Sequence, residues 1–297
     1  MDRIESFNEY RSYLFSIAYR MLGSAMDAED MVQETFLRWQ RAELEPIESP
    51  RAYLATVITR LCIDYLRSAR VQRETYVGPW LPEPLITDSM PGPAENLALA
   101  ESLSMAFLVM LEQLSPTERA IFLLRQVFDY DYAEIAPIVG KSEANCRQIL
   151  RRARERIHLN QPRFEVSLEQ QNMLVSQFVQ ACINGDMAGL MNTLAEDITM
   201  WNDGGGIVNA ARNPIYTAEK VSRFLISVTQ KLPANYVSQF AIINNQPGFI
   251  IYVDDHPVST IVLEIGRRTP DSAARIQNLR IVANPEKLRN LPPLKQN

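Results

Sequence analysis

Residues 115–157 read SPTERAIFLLRQVFDYDYAEIAPIVGKSEANCRQILRRARERI, and the rest of the chain is parsed outward from them. Ser115, Pro116 and Glu118 stand in the order of an N-cap, a first-turn proline and a capping-box acid. A helix therefore starts here and turns Ala120, Ile121, Leu124 and Phe128 inward. A short helix over Tyr132–Val139 follows. Gly140 can take the positive φ of the tight turn after it, and Ser142 can cap the next helix. In that helix Cys146, Ile149, Leu150, Ala153 and Ile157 recur at helical spacing as one apolar stripe. Its other face is basic: Lys141, Arg147, Arg151, Arg152, Arg154 and Arg156 outweigh Glu143 and Glu155. Arg147 and Arg151 share a face one turn apart. Such charge is either a solvated surface or the front of a helix-turn-helix that meets phosphates and base edges in a DNA groove. Its position on the last helix of the unit favours the groove.

Upstream, Leu99, Leu103, Ala106, Phe107, Met110, Leu111 and Leu114 continue a helical period, so residues 95–160 form one small helical domain. Before it, Pro79, Pro82, Pro84, Pro91 and Pro93 forbid continuous helix, which makes 73–94 a linker. A free linker gains nothing by exposing Trp80, Leu81, Leu85 and Ile86, so WLPEPL is expected to dock onto a neighbouring domain. Residues 1–72 read as three helices. Phe7, Tyr10, Leu14, Ile17, Ala18 and Met21 line the first, which Gly23 ends. The second is capped by Asp27 and turns Ala28, Met31, Val32, Thr35, Phe36 and Trp39 inward. It leaves Glu29, Asp30, Gln33, Glu34 and Arg38 outside, an acidic face that is either simply solvated or suited to a basic protein partner. After a polar loop at 43–49, Ser49 and Pro50 open the third, with Leu54, Ile58, Leu61, Cys62, Tyr65 and Leu66 inside. Arg51, Thr56, Thr59, Arg60, Arg67, Arg70 and Arg73 project elsewhere.

Beyond Gln161 the texture becomes α+β. Leu174, Phe178 and Ala181 share a helical face, Asn184-Gly185-Asp186 is a turn, and Leu190, Met191 and Leu194 begin a second short helix. A strand at 198–201 runs into the tight turn of Asp203, Gly204, Gly205 and Gly206, and 217–231 is amphipathic helix. Strands follow at 236–244, 249–253, 258–265 and 275–282, divided at 246–248, 254–257 and 267–271. The expected architecture is two all-α domains followed by an α+β domain at 165–297. In that domain helices lie against one face of a curled antiparallel sheet, a cone able to enclose a pocket.

With 297 residues, 46% hydrophobic and 22% charged, the chain is of the soluble globular class, and no apolar run of about 18 residues suits a bilayer. MDRIESFNEY is unlike a signal peptide, and no membrane partner is expected. Net charge is −5 and the isoelectric point about 5.3, so binding to an anionic polymer must be local, at 60–73 and 141–156. Cys62, Cys146 and Cys182 have neither disulfide nor zinc spacing and read as buried thiols of a reducing compartment, the cytoplasm.

DAEDMVQETFLRW (27–39), SPRAYLATVITRLCIDYLRS (49–68) and SPTERAIFLLRQVFDYDYAEIAPIVGKSEANCRQILRRAR (115–154) together make the first 160 residues resemble an extracytoplasmic-function sigma factor. WLPEPL (80–85), DGGG (203–206) and NPEKL (284–288) are similar to signatures of the subgroup whose regulator is a C-terminal SnoaL-like domain. The glycine motif of that subgroup continues into lysine; this chain has Ile207. The resemblance implies that Asp27, Asp30, Gln33, Glu34, Arg38 and Trp39 bind core RNA polymerase. It implies that Glu45, Ser49, Arg51, Thr56, Arg60 and Arg67 bind the minus-10 element of promoter DNA. Lys141, Ser142, Asn145, Arg147, Gln148, Arg151 and Arg152 would read the minus-35 element. Trp80, Leu81, Pro82, Glu83, Pro84, Leu85, Asp203, Gly204, Gly205, Gly206, Asn284, Pro285, Lys287 and Leu288 would carry interdomain regulation, with a ligand or protein of unknown identity as a further partner of the C-terminal domain.

The competing reading is an enzyme or ligand sensor at the C-terminal domain, because related folds include isomerases with an Asp base in an apolar cavity. Asp203, Tyr216, Tyr252, Asp254 and His256 are its candidates. No pair has diagnostic spacing and 254–257 reads as a hairpin turn, so no catalytic residue, metal or cofactor is expected. An ordinary duplex-binding regulator would have no need of the acidic helix.

Overall fold

The computed structural model describes residues 3–41, 49–74, 76–87, 101–157 and 166–294. The chain divides into two compact units, Met1–Thr75 with Pro91–Leu159 and Tyr76–Met90 with Asn160–Asn297. Both helical segments thus share one unit, whereas the sequence suggested separate domains. The linker from Tyr76 belongs with the C-terminal segment.

The first unit contains α1 (Arg3–Leu22), α2 (Ala25–Arg41), α3 (Pro50–Glu74), α4 (Met105–Leu111), α5 (Pro116–Gln126), α6 (Tyr132–Val139) and α7 (Glu143–Arg156). Leu14, Ile17, Leu54, Ile58 and Cys62 are wholly buried between the first three. Ser24, rather than Asp27, caps α2: its hydroxyl accepts from the Asp27 N–H at 3.1 Å, leaving Asp27 in the first turn, where its charge suits the helix dipole. The helical period ending at Leu114 is interrupted. Ser104 caps a fresh start by accepting from the Phe107 N–H, and Leu99 lies outside the described residues. The helix-turn-helix forms as its sequence requires, with the Ser115/Glu118 box closed, Gly140 left-handed at φ 66° and Ser142 accepting from the Asn145 N–H. A second capping box, Asp131 with Glu134, starts α6 and was not anticipated.

The second unit contains α8 (Leu168–Asn184), α9 (Met187–Thr193), β1 (Leu194–Asp203), β2 (Ile215–Tyr216), α10 (Ala218–Thr229), β3 (Val237–Ile243), β4 (Gln246–Val253), β5 (His256–Gly266), β6 (Arg275–Val282) and a 3-10 turn, Pro285–Leu288. The sheet order is β2-β1-β6-β5-β4-β3. From β3 to β6 it is the expected meander, but β1 pairs with β6 in parallel, so the open sheet is mixed rather than wholly antiparallel. The hairpin at 244–245 also differs from expectation. Asn244 and Asn245 both take positive φ, as a tight two-residue turn demands, so Gln246, Pro247 and Gly248 enter β4 instead of dividing strands. Pro247 is tolerated because the β4–β5 pairing begins one residue later, at Gly248 opposite Val262. One face of the sheet sends Phe249, Ile251, Leu263, Leu279 and Ile281 against Leu174, Phe178, Leu190, Val221 and Leu225 of the helices. These side chains occupy much of the space in which the sequence allowed a pocket, and a groove remains between α8 and the strand residues Phe240 and Phe249. Alternate residues, among them Trp201, Asp203, Val262 and Arg280, face the other way. There the Arg280 guanidinium pairs with buried Glu264 and lies over the Trp201 ring.

The Ser115 cap has a measurable signature. Burial opposes ionisation of Glu118, but hydrogen bonds from Ser115 and the charge of Arg156 outweigh it and hold the carboxyl below its ordinary range. A depressed folded-state pKa stabilises above the unfolded value and ceases to do so as pH falls through the folded one. Ser115→Ala is expected to cost about 1 kcal/mol in urea unfolding at pH 7. Glu118→Gln is expected to be destabilising at pH 7, with its deficit shrinking as pH drops below the carboxylate range.

Candidate functional site

On α7 and the two residues before it, the minus-35 candidates Lys141, Ser142, Asn145, Arg147, Gln148, Arg151 and Arg152 are all exposed, while Cys146, Leu150 and Ala153 are buried. Arg147 is pre-positioned by Glu143 at 2.7 Å and by the Tyr132 ring at 4.9 Å, and Arg151 lies 3.5 Å from Glu155. These exposed i,i+4 pairs hold little energy, so phosphate or base edges can replace them. Arg154 and Arg156 instead turn back onto α5, donating to Gln126 and Glu118, apart from the minus-35 candidates.

The acidic face of α2 is built as expected. Asp30, Gln33 and Arg38 are exposed, Asp27 and Glu34 are half-buried, and Glu34 holds Arg38 at 2.9 Å. Trp39 is different. It is 5% exposed and packs on the Tyr53 ring, so it supports the helix from inside and cannot itself touch a partner surface. Thr59 likewise faces inward, fully buried. Glu45 lies outside the described residues, and so do the side chains of Arg70 and Arg73. Ser49 caps α3, and Arg67 rests exposed beside Asp64.

Two minus-10 candidates have other work here. The Arg60 guanidinium donates to the Pro137 and Ile138 carbonyls at 2.7 and 3.1 Å, at the C-terminal end of α6, where a cation suits the helix dipole. Arg51 lies 4.8 Å over the Tyr13 ring and 5.9 Å from that of Tyr130, and the two hydroxyls hydrogen-bond at 2.7 Å. Burial raises the pKa of both phenols, keeping them protonated. Arg119 of α5 donates to the Met21 carbonyl at 2.6 Å, and Arg20 to the Ser102 hydroxyl at 2.8 Å. Together these contacts interlock the N-terminal bundle with the helix-turn-helix segment.

In the second unit three sequence-distant motifs converge on one carboxylate. Asp203, fully buried at the end of β1, accepts at Oδ1 from the Tyr76 hydroxyl (2.5 Å) and the Gly205 N–H (3.0 Å). At Oδ2 it accepts from the Leu81 N–H (2.8 Å) and the Lys287 ammonium (2.7 Å). Lys287 also donates to the Leu81 carbonyl at 2.5 Å and lies over the Tyr76 and Trp80 rings at 4.8 and 4.5 Å. Asn284 Nδ2 donates to the Tyr76 oxygen, and its Oδ1 caps the turn that begins with Pro285 and carries Lys287 and buried Leu288. The glycines are required by approach distance. A Cβ would lie 2.6 Å from Ala210 Cβ at Gly204, 2.3 Å from Asn284 Nδ2 at Gly205 and 3.0 Å from Val77 Cβ at Gly206. Leu81, Pro82, Glu83 and Pro84 are buried. Leu85 then exchanges hydrogen bonds with Asn244, and the Thr87 N–H donates to the Ile242 carbonyl, so the linker adds itself to the β3 edge. Burial, then the bond to Asp203, raises the Tyr76 pKa and keeps the phenol a donor. Ile207 is exposed; the cation that neutralises Asp203 is Lys287. Tyr76 and Asn244 were missed in the sequence, and adjacency to WLPEPL was the signal available for the first.

The enzyme candidates do not converge. Asp203 is saturated, Tyr216 is exposed, Tyr252 donates to the Pro292 carbonyl, and His256 folds onto the Asp254 carbonyl within the hairpin. A groove of about 300 Å³ lined by Asn172, Val175, Ser176, Val179, Gln180, Phe240 and Phe249 contains no ionisable side chain.

Residues 7–71 match the Sigma-70 region 2 family and residues 104–157 the Sigma-70 region 4 family. The chain is 36% identical over 249 residues to the ECF RNA polymerase sigma factor SigJ of Mycobacterium tuberculosis, covering 82% of this chain and 80% of that protein. It is 37% identical over 193 residues to that organism's probable ECF RNA polymerase sigma factor SigI, covering 64% and 66% of the two chains. The crystal structure of M. tuberculosis SigJ superposes with a TM-score of 0.73 at 32% identity, covering 96% of this chain and 97% of that one.

Asp203→Ala strands Lys287, 10% exposed, without its counter-charge. Breaking one side of such a buried pair costs about 3–5 kcal/mol. Chymotrypsin is therefore expected to cut after Tyr76 or Trp80 much faster in Asp203→Ala than in the wild type. Tyr76→Phe, which removes the hydroxyl's bonds to Asp203 and Asn284 but keeps the ion pair, should be intermediate.

Proposed function

Since this chain belongs to the ECF RNA polymerase sigma factors and directs promoter-specific transcription initiation with core polymerase and promoter DNA, we propose that the Asp203 clasp sets its output by pinning the linker between regions 2 and 4. Capturing a melted minus-10 strand needs a loop and nearby cations, whereas reading a minus-35 duplex needs a helix in a groove. The two elements are held on opposite sides of a linker that must let them spread along the promoter. Released, the stretch from Tyr76 to Thr87 could extend by about 40 Å. Pinned along the second unit, it contributes none of that reach. The interlocked arrangement also occupies Arg51 and Arg60, so it competes with their use on DNA. A clasp that favours this arrangement lowers activity by population shift.

The single observation that carries this reading is the convergence of Leu81, Asp203 and Lys287 on one buried ion pair. The remaining assignments follow as parts of the proposal. Asp27, Asp30, Gln33, Glu34 and Arg38 present the polymerase-binding surface, supported from within by Trp39. Ser49, Arg51, Thr56, Arg60 and Arg67 serve the minus-10 element, and the exposed residues of α7 serve the minus-35 element. The C-terminal unit acts as regulator rather than catalyst, as the dispersal of its ionisable groups supports. No helix among the described residues is long and apolar enough to cross a membrane. The site of action is the cytoplasm, with the polymerase.

Co-purification with core polymerase at low salt is expected, and its failure would remove the premise about α2. In run-off transcription, truncation after residue 162, Asp203→Ala and Trp80→Ala should each raise output; output equal to wild type in all three would make the C-terminal unit a passenger. Arg147→Ala with Arg151→Ala should weaken promoter binding by about 1–3 kcal/mol for each bidentate base pairing removed. Unchanged binding would mean that α7 presents a different face to DNA.

A further inference from the structure

Tyr132 is the first residue of α6, and its half-buried ring meets arginines from the helices on either side of it in the chain. The ring centre lies 5.5 Å from the guanidinium carbon of Arg125, in the last turn of α5, and 4.9 Å from that of Arg147 on α7. Arg125 is itself anchored, donating to the Tyr130 carbonyl at 2.9 Å and lying 3.4 Å from Asp129. One ring thus connects a tethered cation with an exposed one. Arg151, one turn beyond Arg147, is held differently. It lies 3.5 Å from Glu155, no ring contact reaches it among the described residues, and its side chain is 76% exposed against 56% for Arg147.

The two contacts that hold Arg147 also differ in what they leave free. Glu143 occupies an N–H of the guanidinium and must give way to an acceptor on DNA. The ring needs no N–H directed at an acceptor atom, so it can stay while the fork turns to a base edge. A bidentate base pairing depends on the orientation of that fork, whereas a phosphate contact does not. Ordering a long side chain before binding also removes part of the cost of ordering it on binding. We propose that Tyr132 is a positioning residue for promoter recognition: its ring orients Arg147 toward one base pair of the minus-35 element, while Arg151 meets phosphate. This rests on the reading of α7 as the minus-35 helix.

The test uses core polymerase reconstituted with the full-length chain. Fragments of a promoter that the wild-type holoenzyme selects are randomised over the minus-35 element, and the bound fraction is sequenced. Arg147→Ala should lower discrimination at one position by about 5- to 150-fold, the range of a lost bidentate pairing. Tyr132→Leu, which keeps an apolar side chain but no ring, should lower it at that same position by about two- to fivefold and leave the others as in wild type. Tyr132→Phe, which keeps the ring, should match wild type. Added to Arg147→Ala, Tyr132→Leu should change nothing further, whereas a merely structural role would add to it. Arg151→Ala should weaken all sequences alike and reduce the slope of log affinity against log salt by about one. If Arg147→Ala flattens one position and Tyr132→Leu leaves it sharp, or weakens every position equally, the positioning role is overturned and the minus-35 reading stands. If Arg147→Ala flattens no position, that reading of Arg147 falls and the proposal with it. A position flattened by Arg151→Ala overturns its assignment to phosphate.

Discussion

A carboxylate with no exposed surface must be fully satisfied or it destroys the structure around it, and Asp203 meets that constraint with groups drawn from three distant parts of the chain. A phenol and a backbone N–H come from the linker, a backbone N–H from its own turn, and an ammonium from the segment after the last strand. The parallel pairing of β1 with β6 brings the last of these segments alongside, and the carboxylate ties the linker to it. The turn must be glycine because Asn284 and Val77 approach where side chains would stand, and Lys287 must be threaded between Tyr76 and Trp80 because two charges meet in a space closed to water. Low local dielectric makes the arrangement all-or-none: removing one partner leaves a buried charge uncompensated.

The first unit is held by buried contacts, Arg119 on the Met21 carbonyl and Arg20 on the Ser102 hydroxyl, and by exposed ones that are replaceable. Arg60 rests on the carbonyl end of α6 and Arg51 on a pair of tyrosine rings, both on surfaces that water and nucleic acid can compete for. The proposal that an acidic chain binds DNA rests on the concentration of its cations on α3 and α7, apart from the acids of α2. Of the interlocking contacts only those of Arg51 and Arg60 are exposed enough for another ligand to replace.

Much of this was legible in the residues because local rules decided it. The capping box at Ser115, the left-handed Gly140, the cap at Ser142 and the apolar stripe of α7 all follow from spacing within one or two turns. Motif resemblance likewise picked out WLPEPL, DGGG and NPEKL, although nothing in their spacing says that they share one carboxylate. What escaped depends on tertiary context. Trp39 could be placed on an inner stripe, yet only packing against Tyr53 shows that its ring cannot face a partner. Gln246-Pro247-Gly248 carries a turn signature, but two asparagines able to take positive φ stand just before it and win. The parallel pairing of β1 with β6 depends on a long crossover that periodicity does not report. Arg51 and Arg60 have the composition of DNA contacts and, in this arrangement, the position of a lock.

The central claim is that the clasp in the second unit biases the arrangement within the first, and the separation of regions 2 and 4 reports it most directly. Spin labels at Met26→Cys on α2 and Gln148→Cys on α7 occupy exposed positions. Cys62 and Cys146 are buried, and burial pushes the Cys182 thiol up to about 12, so the introduced thiols label selectively. Double electron-electron resonance should give one narrow distance for the intact chain and a broader, longer distribution once Asp203 is replaced by alanine. Identical distributions would contradict the account.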